Sequence, residues 1–418
     1  MKRARWFLAV LAVFAFVAAA CGDDEEAPAP AQPEPTQPAA EPAEEAMEEE
    51  MAAEEAMEEE MAAEEAMEEE AMEEDMAEEE AMAASDGSGY SVAFVFDLFI
   101  EDGGWNTTHY RGVQQVQEAF PGLDVQILEE ISPGPAATNA FEDLAADGVD
   151  LIIGTTYFMP DVMPVAEQYP DTKFLTWAGW QTADNVGHFD GATEDGRYLD
   201  GLIAGSVTES GVIGYPAGYP IEEVNRAINA FTIGVREVNP DAVVQVVYIN
   251  SWYDPPVEQQ AAEALANGGA DVLAHELNSP AVASVAEDRG LNIIGYSSDR
   301  SEVAPNAWLS SFTFEWGPYY IDQVQQMIDG TWEPALTYGG LQAGMIGNSP
   351  YGKDVTDEML ALVNERRQQI LDGTFDYFAG PIMDNEGNVQ VPEGGTIPFE
   401  ERTTCCLWLI DGVEGSIS

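Results

Sequence analysis

The residues of this chain best suited to chemistry are aromatic rings and carboxylates placed where apolar runs end. In "IEDGGWNTTHYRG" (100–112), Trp105 follows two glycines just after the apolar run "YSVAFVFDLF". A tryptophan kept for packing belongs inside the strand. One on a flexible turn at the strand's exit can offer the π-face of its indole to a molecule arriving from outside. "INSWYDPP" repeats the arrangement at Trp252, where prolines close the strand. Phe158 and Trp177 follow other apolar runs and read as either core or cleft. Asp97 and Asp299 stand at strand exits, where an acid needs a partner such as a ligand hydroxyl or amine; for Asp299 a helix cap is the plainer reading. His109 reads equally as a helix residue that fixes the turn and as a donor to a bound solute.

No set of residues has the spacing of a catalytic or metal centre. The three histidines, His109, His188 and His275, form no HxxxH or HExxH pattern, so no metal site is expected. GxSxG, GxxxxGK[ST] and a GxGxxG after a strand are missing from the sequence. Cys405 and Cys406 are adjacent near the C-terminus and read as two buried thiols, although an exported chain could oxidise them.

The elements that must carry these residues follow one pattern. "YSVAFVFD" (90–97) reads as a strand and "NTTHYRGVQQVQEAF" (106–120) as a helix, and strand-helix units continue through "DVQIL", "VDLIIGTT" and "TKFLTWAG". The pattern restarts near Gly211 with "GVIGYPAG" and runs through "AVVQVVYINS", "ADVLAHEL" and "LNIIGYSSD". Val- and Ile-rich runs without strict alternation suit strands buried on both faces of a parallel sheet. The chain therefore reads as α/β, with two doubly wound lobes in tandem. In such sheets ligands bind beyond the carboxyl ends of the strands. Those ends offer Asp97, Trp105, Asn106, Phe158 and Trp177 in the first lobe, and Trp252, Asn278 and Asp299 in the second.

The chain has 418 residues and a net charge of -64. Residues 1–21 join a basic start (Lys2, Arg3, Arg5) to an apolar run and three alanines before Cys21, the order of a signal peptide. Cys21 is read as the lipidated first residue of the mature chain, with Cys21 as the membrane anchor. Residues 22–84 are Pro-rich and then a near-repeat of Glu, Ala and Met, read as a self-repelling, largely disordered stalk. The stalk holds 27 of the 78 acidic residues, which leaves the rest of the chain near -40. Nucleic acid is disfavoured as a partner, because phosphate binding needs Lys and Arg.

Taken in order, "DGGWNTTHYRG", "EDGRYLDGLIAG", "INSWYDPPVEQQAAEAL", "GYSSD", "FEWGPYYI", "YGGLQAGM" and "DGTFDYFAGPI" resemble the basic membrane protein family of ABC-transporter substrate-binding lipoproteins, from about Tyr90 to the end. The resemblance implies a type I periplasmic-binding-protein fold with a three-crossing hinge. The first lobe would comprise residues 85–211 and roughly 312–345, the second 212–311 and roughly 346–418. It implies a purine base or nucleoside held between rings of the two lobes, here Trp105 and Trp252, with Asn106 as a polar contact. Where that family has G-x-D-x-D to grip a ribose, this chain has "GYSSD", which favours a free base. The implied partners are a small-molecule solute and an ABC permease, with no cofactor and no enzymatic step. A nucleoside-processing α/β enzyme and a ligand sensor for a membrane receptor are the alternative readings.

Overall fold

The computed structural model describes residues 86–417. The signal peptide, Cys21 and the acidic stalk lie outside the described residues.

Two six-stranded sheets organise the described chain. The first contains β1 (Ser91–Val95), β2 (Asp124–Leu128), β3 (Leu151–Tyr157), β4 (Lys173–Trp177), β5 (Val186–Gly191) and, from much later in the chain, β12 (Leu336–Gly339). Their spatial order is β12-β5-β4-β3-β1-β2, all parallel. The second contains β6 (Val212–Ala217), β7 (Val243–Tyr248), β8 (Val272–Ala274), β9 (Asn292–Ile294), β10 (Trp308–Ser310) and β16 (Val413–Glu414), in the order β10-β9-β8-β6-β7-β16. The other strands form two antiparallel pairs. One joins β11 (Phe312–Phe314) to β13 (Ile346–Asn348), the other β14 (Ile382–Met383) to β15 (Val389–Val391).

Both sheets are buried on both faces. Along β1, Val92 and Phe94 pack on one side with Val113 and Val116, while Ala93 and Val95 face Phe141, Ile152 and Val162 on the other. Alternation in space without alternation in polarity is what a sheet covered by helices on both sides requires. The first lobe's helices are α1 (Trp105–Ala119), α2 (Pro135–Ala146), α3 (Met159–Ala166) and α8 (Trp316–Asp329). The second lobe uses α4 (Thr193–Val207), α5 (Glu222–Val238), α6 (Pro255–Asn267), α7 (Ala281–Arg289) and α9 (Asp357–Leu371).

Sheet membership makes the chain cross between lobes three times: after β5, between β10 and β12, and between β12 and β16. The first crossing lies at Gly191–Ala192 and not at Gly211. Helix α4 packs on α5 and belongs with the second lobe. The two helix backbones approach so closely that a Cβ on Gly201 would sit 2.1 Å from the Phe231 carbonyl, and one on Gly234 2.1 Å from the Tyr198 carbonyl. β5 was not legible as a strand, because "VGHFDG" holds two glycines, an Asp and a His, types that strands disfavour or tolerate only with partners. Here His188 bonds Thr176 Oγ1 at 2.8 Å and Asp190 accepts from Trp177 Nε1 at 3.0 Å.

Cys405 and Cys406, expected as two thiols, are joined by a disulfide. The chain turns at Cys406, which takes a left-handed φ of 76°.

Candidate functional site

The turn before α1 is built to deliver a tryptophan. The Asp102 carboxylate accepts from the backbone N–H groups of Gly104 (2.8 Å), Asn106 (3.1 Å) and Thr107 (3.1 Å), filling the donors that a helix start leaves unpaired. Gly103 takes a φ of +80°, and a Cβ on Gly104 would lie 2.4 Å from Asn278 Oδ1 in the second lobe. One glycine serves the turn and the other the close approach of the facing lobe. Trp105 is the first residue of α1. Its Nε1 donates to the Thr155 carbonyl at 2.8 Å, which orients the indole toward the interlobe space. Its ring neighbours His109, Trp177, Phe314 and Trp316 all meet it at steep angles.

The facing wall repeats the device. Asp254 caps α6 by accepting from Val257 N, and Pro255 occupies the first helical position, where a missing N–H does no harm. Trp252 stands just before this cap. Its indole lies over Gly218, where a Cβ would come within 2.4 Å of the ring, and meets Tyr219 edge-on.

Between the walls lies a cavity of about 280 Å³. Asp97, Trp105, Thr156, Tyr157 and Trp177 line it from the first lobe; Tyr219, Ile221, Glu223, Trp252, Asn278 and Tyr296 line it from the second. The lobes touch around it. Trp105 N donates to Asn278 Oδ1 at 3.1 Å, Ser298 Oγ to the Gly103 carbonyl at 3.3 Å, and Phe99 meets Tyr253 edge-on at 5.2 Å.

The structure thus gathers Asp97, Trp105, Trp177, Trp252 and Asn278 around one space. Three other candidates lie elsewhere. Phe158 is fully buried in the first lobe's core against Phe141, because the chain turns inward at the start of α3. Asp299 does not line the cavity; its Oδ1 accepts from Ser301 N at 2.9 Å and caps its own turn. Asn106 is buried behind the wall, where its Nδ2 donates to Asp97 Oδ1 at 3.1 Å and to Asp102 Oδ2 at 3.3 Å. It positions Asp97 and does not itself reach the cavity. His109 takes the structural role, stacked on Trp316 at 4.7 Å with Nδ1 bonded to the Tyr320 hydroxyl.

Six lining residues were not singled out from the sequence as site residues: Thr156, Tyr157, Tyr219, Ile221, Glu223 and Tyr296. Tyr296 sits inside "GYSSD", where Asp299 is the residue with the more evident chemistry. Tyr219 and Ile221 lie between β6 and α5 and Glu223 in the first turn of α5, a stretch that reads only as a helix start.

The electrostatics of the cavity are one-sided. The lining holds two carboxyl groups and no Lys or Arg. Burial raises the Asp97 pKa above its usual value, Asn106 opposes this, and Asp102 adds to it. The cations near the cavity serve the scaffold. Arg197 donates to Glu276 Oε1 at 3.0 Å, to the Gly295 carbonyl at 2.8 Å and to the His275 carbonyl. Arg226 donates to Glu194 Oε2 at 2.9 Å and to the Arg402 carbonyl at 2.9 Å.

Two parallel-sheet lobes joined by a three-crossing hinge around an aromatic cavity define a solute-binding protein of the type I periplasmic binding fold. The fold agrees with solved structures. A solute-binding protein of an ABC transporter system from Conexibacter woesei has a TM-score of 0.61 at 23% identity, covering 69% of this chain and 98% of that one. A second from Aeropyrum pernix has a TM-score of 0.60 at 19% identity, covering 69% and 92%. Residues 90–374 match the Bmp family, described as ABC transporter substrate-binding protein PnrA-like, and the chain belongs to that family. Two relatives are each 34% identical. One, from Haloferax volcanii, is named for glucose binding in an ABC transporter and covers 80% of this chain and 82% of its own length. The other, from Brucella abortus, is named a purine-binding protein and covers 72% and 87%. The chain is therefore an ABC transporter substrate-binding protein, a class that works outside the cytoplasm with a small-molecule solute and a membrane permease as partners.

Proposed function

We propose that the solute is a purine base, held between Trp105 and Trp252 as the lobes close about the hinge and released unchanged to the permease. The observation that carries this reading is an indole from each lobe in the lining of one small cavity. Stacking a base on an aromatic ring is worth about 1–3 kcal/mol per ring. Asp97, Thr156, Glu223 and Asn278 then supply a short polar rim, which suits the few edge groups of a base. The relative named for purine binding supports the same reading. A hexose, the solute in the other relative's name, carries hydroxyls around its whole ring and needs more polar partners than the rim of this cavity offers. The test is mass spectrometry of the small molecules released when the purified protein is denatured. A purine base is expected, and a hexose in its place would overturn the reading.

The second part of the proposal is lipid anchoring through Cys21, supported by the basic, apolar and small-residue order of residues 2–21. Cys21→Ser is expected to move the protein from the membrane fraction to the soluble fraction; unchanged retention would contradict it.

A further inference from the structure

Of the residues lining the cavity, Glu223 is the one with a buried side-chain atom left unpaired among the described residues. It lies in the first turn of α5, and its Oε1 is buried with no hydrogen-bond partner among the described residues. The nearest base on its own helix, Arg226, is turned to Glu194, to the Arg402 carbonyl and, at 3.8 Å, to Asp190. Leaving a buried carboxyl oxygen unpaired costs about 1–3 kcal/mol or more, and such a group lining a ligand cavity points to a partner that comes with the ligand.

We propose that Glu223 determines which solutes the cavity accepts: its carboxyl bonds the solute's polar edge, donating through one oxygen and accepting through the other. This rests on the reading of the solute as a purine base. A neutral carboxyl matches an edge on which a ring nitrogen that accepts lies beside an N–H that donates, as in a 6-aminopurine. The same wall refuses anions, since the lining has no cation to offset their desolvation. The surroundings favour the neutral carboxyl. Burial and the charges of Asp190 and Glu276 push its pKa well up, Arg226 opposes them, and Glu194 adds to the push. Tyr296 and Asp97 complete the groups around the same space.

The experiment is calorimetric titration of adenine into the wild type, Glu223→Gln and Glu223→Ala, from mildly acidic to mildly alkaline pH. Asp97 and Asp190 titrate in all three proteins, so the readout is the affinity ratio between wild type and variant. Glutamine keeps a donor and an acceptor at the same positions and cannot ionise. The wild type should match Glu223→Gln at acidic pH and fall behind it as the pH rises and the Glu223 proton is lost. Glu223→Ala should bind roughly tenfold more weakly at acidic pH. A wild-type to Glu223→Gln ratio that is constant with pH, together with full affinity in Glu223→Ala, would overturn the proposal. So would a wild type that gains on Glu223→Gln as pH rises, because the group would then act as an ionised acceptor. A wild type that binds neither adenine nor guanine nor hypoxanthine at any pH would instead overturn the purine reading itself.

Discussion

Replacing Arg197 with methionine is expected to destabilise the folded protein by about 3–5 kcal/mol, the usual result of breaking a buried ion pair from one side. Arg197 is fully buried on α4 and holds the ends of two strands at once, through Glu276 and the His275 carbonyl after β8 and the Gly295 carbonyl after β9. Its guanidinium lies 3.7 Å from Asp200 Oδ2 and 4.8 Å from the centre of the Phe312 ring. Methionine would fill much of the volume but leave Glu276 and Asp200 without their cation and two carbonyls without a donor. Arg289→Met is the control, since the Arg289–Glu263 pair is partly exposed, at 35% and 40% for the two side chains, and such pairs contribute about 0–1 kcal/mol. Denaturant unfolding of both variants decides the matter. If Arg197→Met loses no more stability than Arg289→Met, α4 does not clamp the second lobe's strand ends. The consequence for function is direct, because those strand ends lead into Asn278 and Tyr296 on the cavity wall.

This clamp was invisible in the sequence, and the reason generalises. "EDGRYLDGLIAGSVTES" reads as a helix, and it is one, but its polar residues look like a solvated face. In the structure Glu194, Asp195, Arg197 and Asp200 are buried, because acids and arginines from different elements pair around the hinge: Arg197 with Asp200 and Glu276, and Arg226 with Glu194 and Asp190. Pairing between distant segments leaves no periodicity for a local reading to find. That burial also explains why the first hinge crossing differs from the sequence reading: the strand-helix pattern visibly restarts at Gly211, and nothing local marks α4 as part of the second lobe. The alternation of strand and helix was legible where the parallel strands are mostly apolar, as in β1 and β7, and where each turn carries its own local chemistry; β5 has neither signal. The same logic located Trp105 and Trp252, each beside an acid that caps a helix and small or cyclic residues that shape the turn. It failed for Phe158 and Asp299, since a strand exit can turn inward to the core or close on its own backbone, and residue type does not separate these outcomes. Glu223 gave no sequence signal, because an acid in the first turn of a helix is an ordinary favourable placement.

The second large expectation concerns the two tryptophans. Trp252→Ala removes a stacking face and should weaken adenine binding by about 1–3 kcal/mol, roughly five- to a hundredfold, while Trp252→Phe keeps a smaller face and much of the affinity. Trp105→Ala should weaken binding to a similar degree and also lower the stability of the unliganded protein. Its indole N–H is bonded to Thr155, and its ring packs against His109, Trp177, Phe314 and Trp316. Trp252 has a single ring neighbour, Tyr219, so it separates binding from folding more cleanly.

Titration of adenine and of glucose into the wild type and Trp252→Ala, with a melt of each unliganded protein alongside, decides whether the cavity stacks a purine base. The wild type is expected to bind adenine and not glucose, and Trp252→Ala to lose at least fivefold in adenine affinity with its melting temperature nearly unchanged. Glucose binding in the wild type without adenine binding, or an adenine affinity that Trp252→Ala leaves intact, would contradict this expectation.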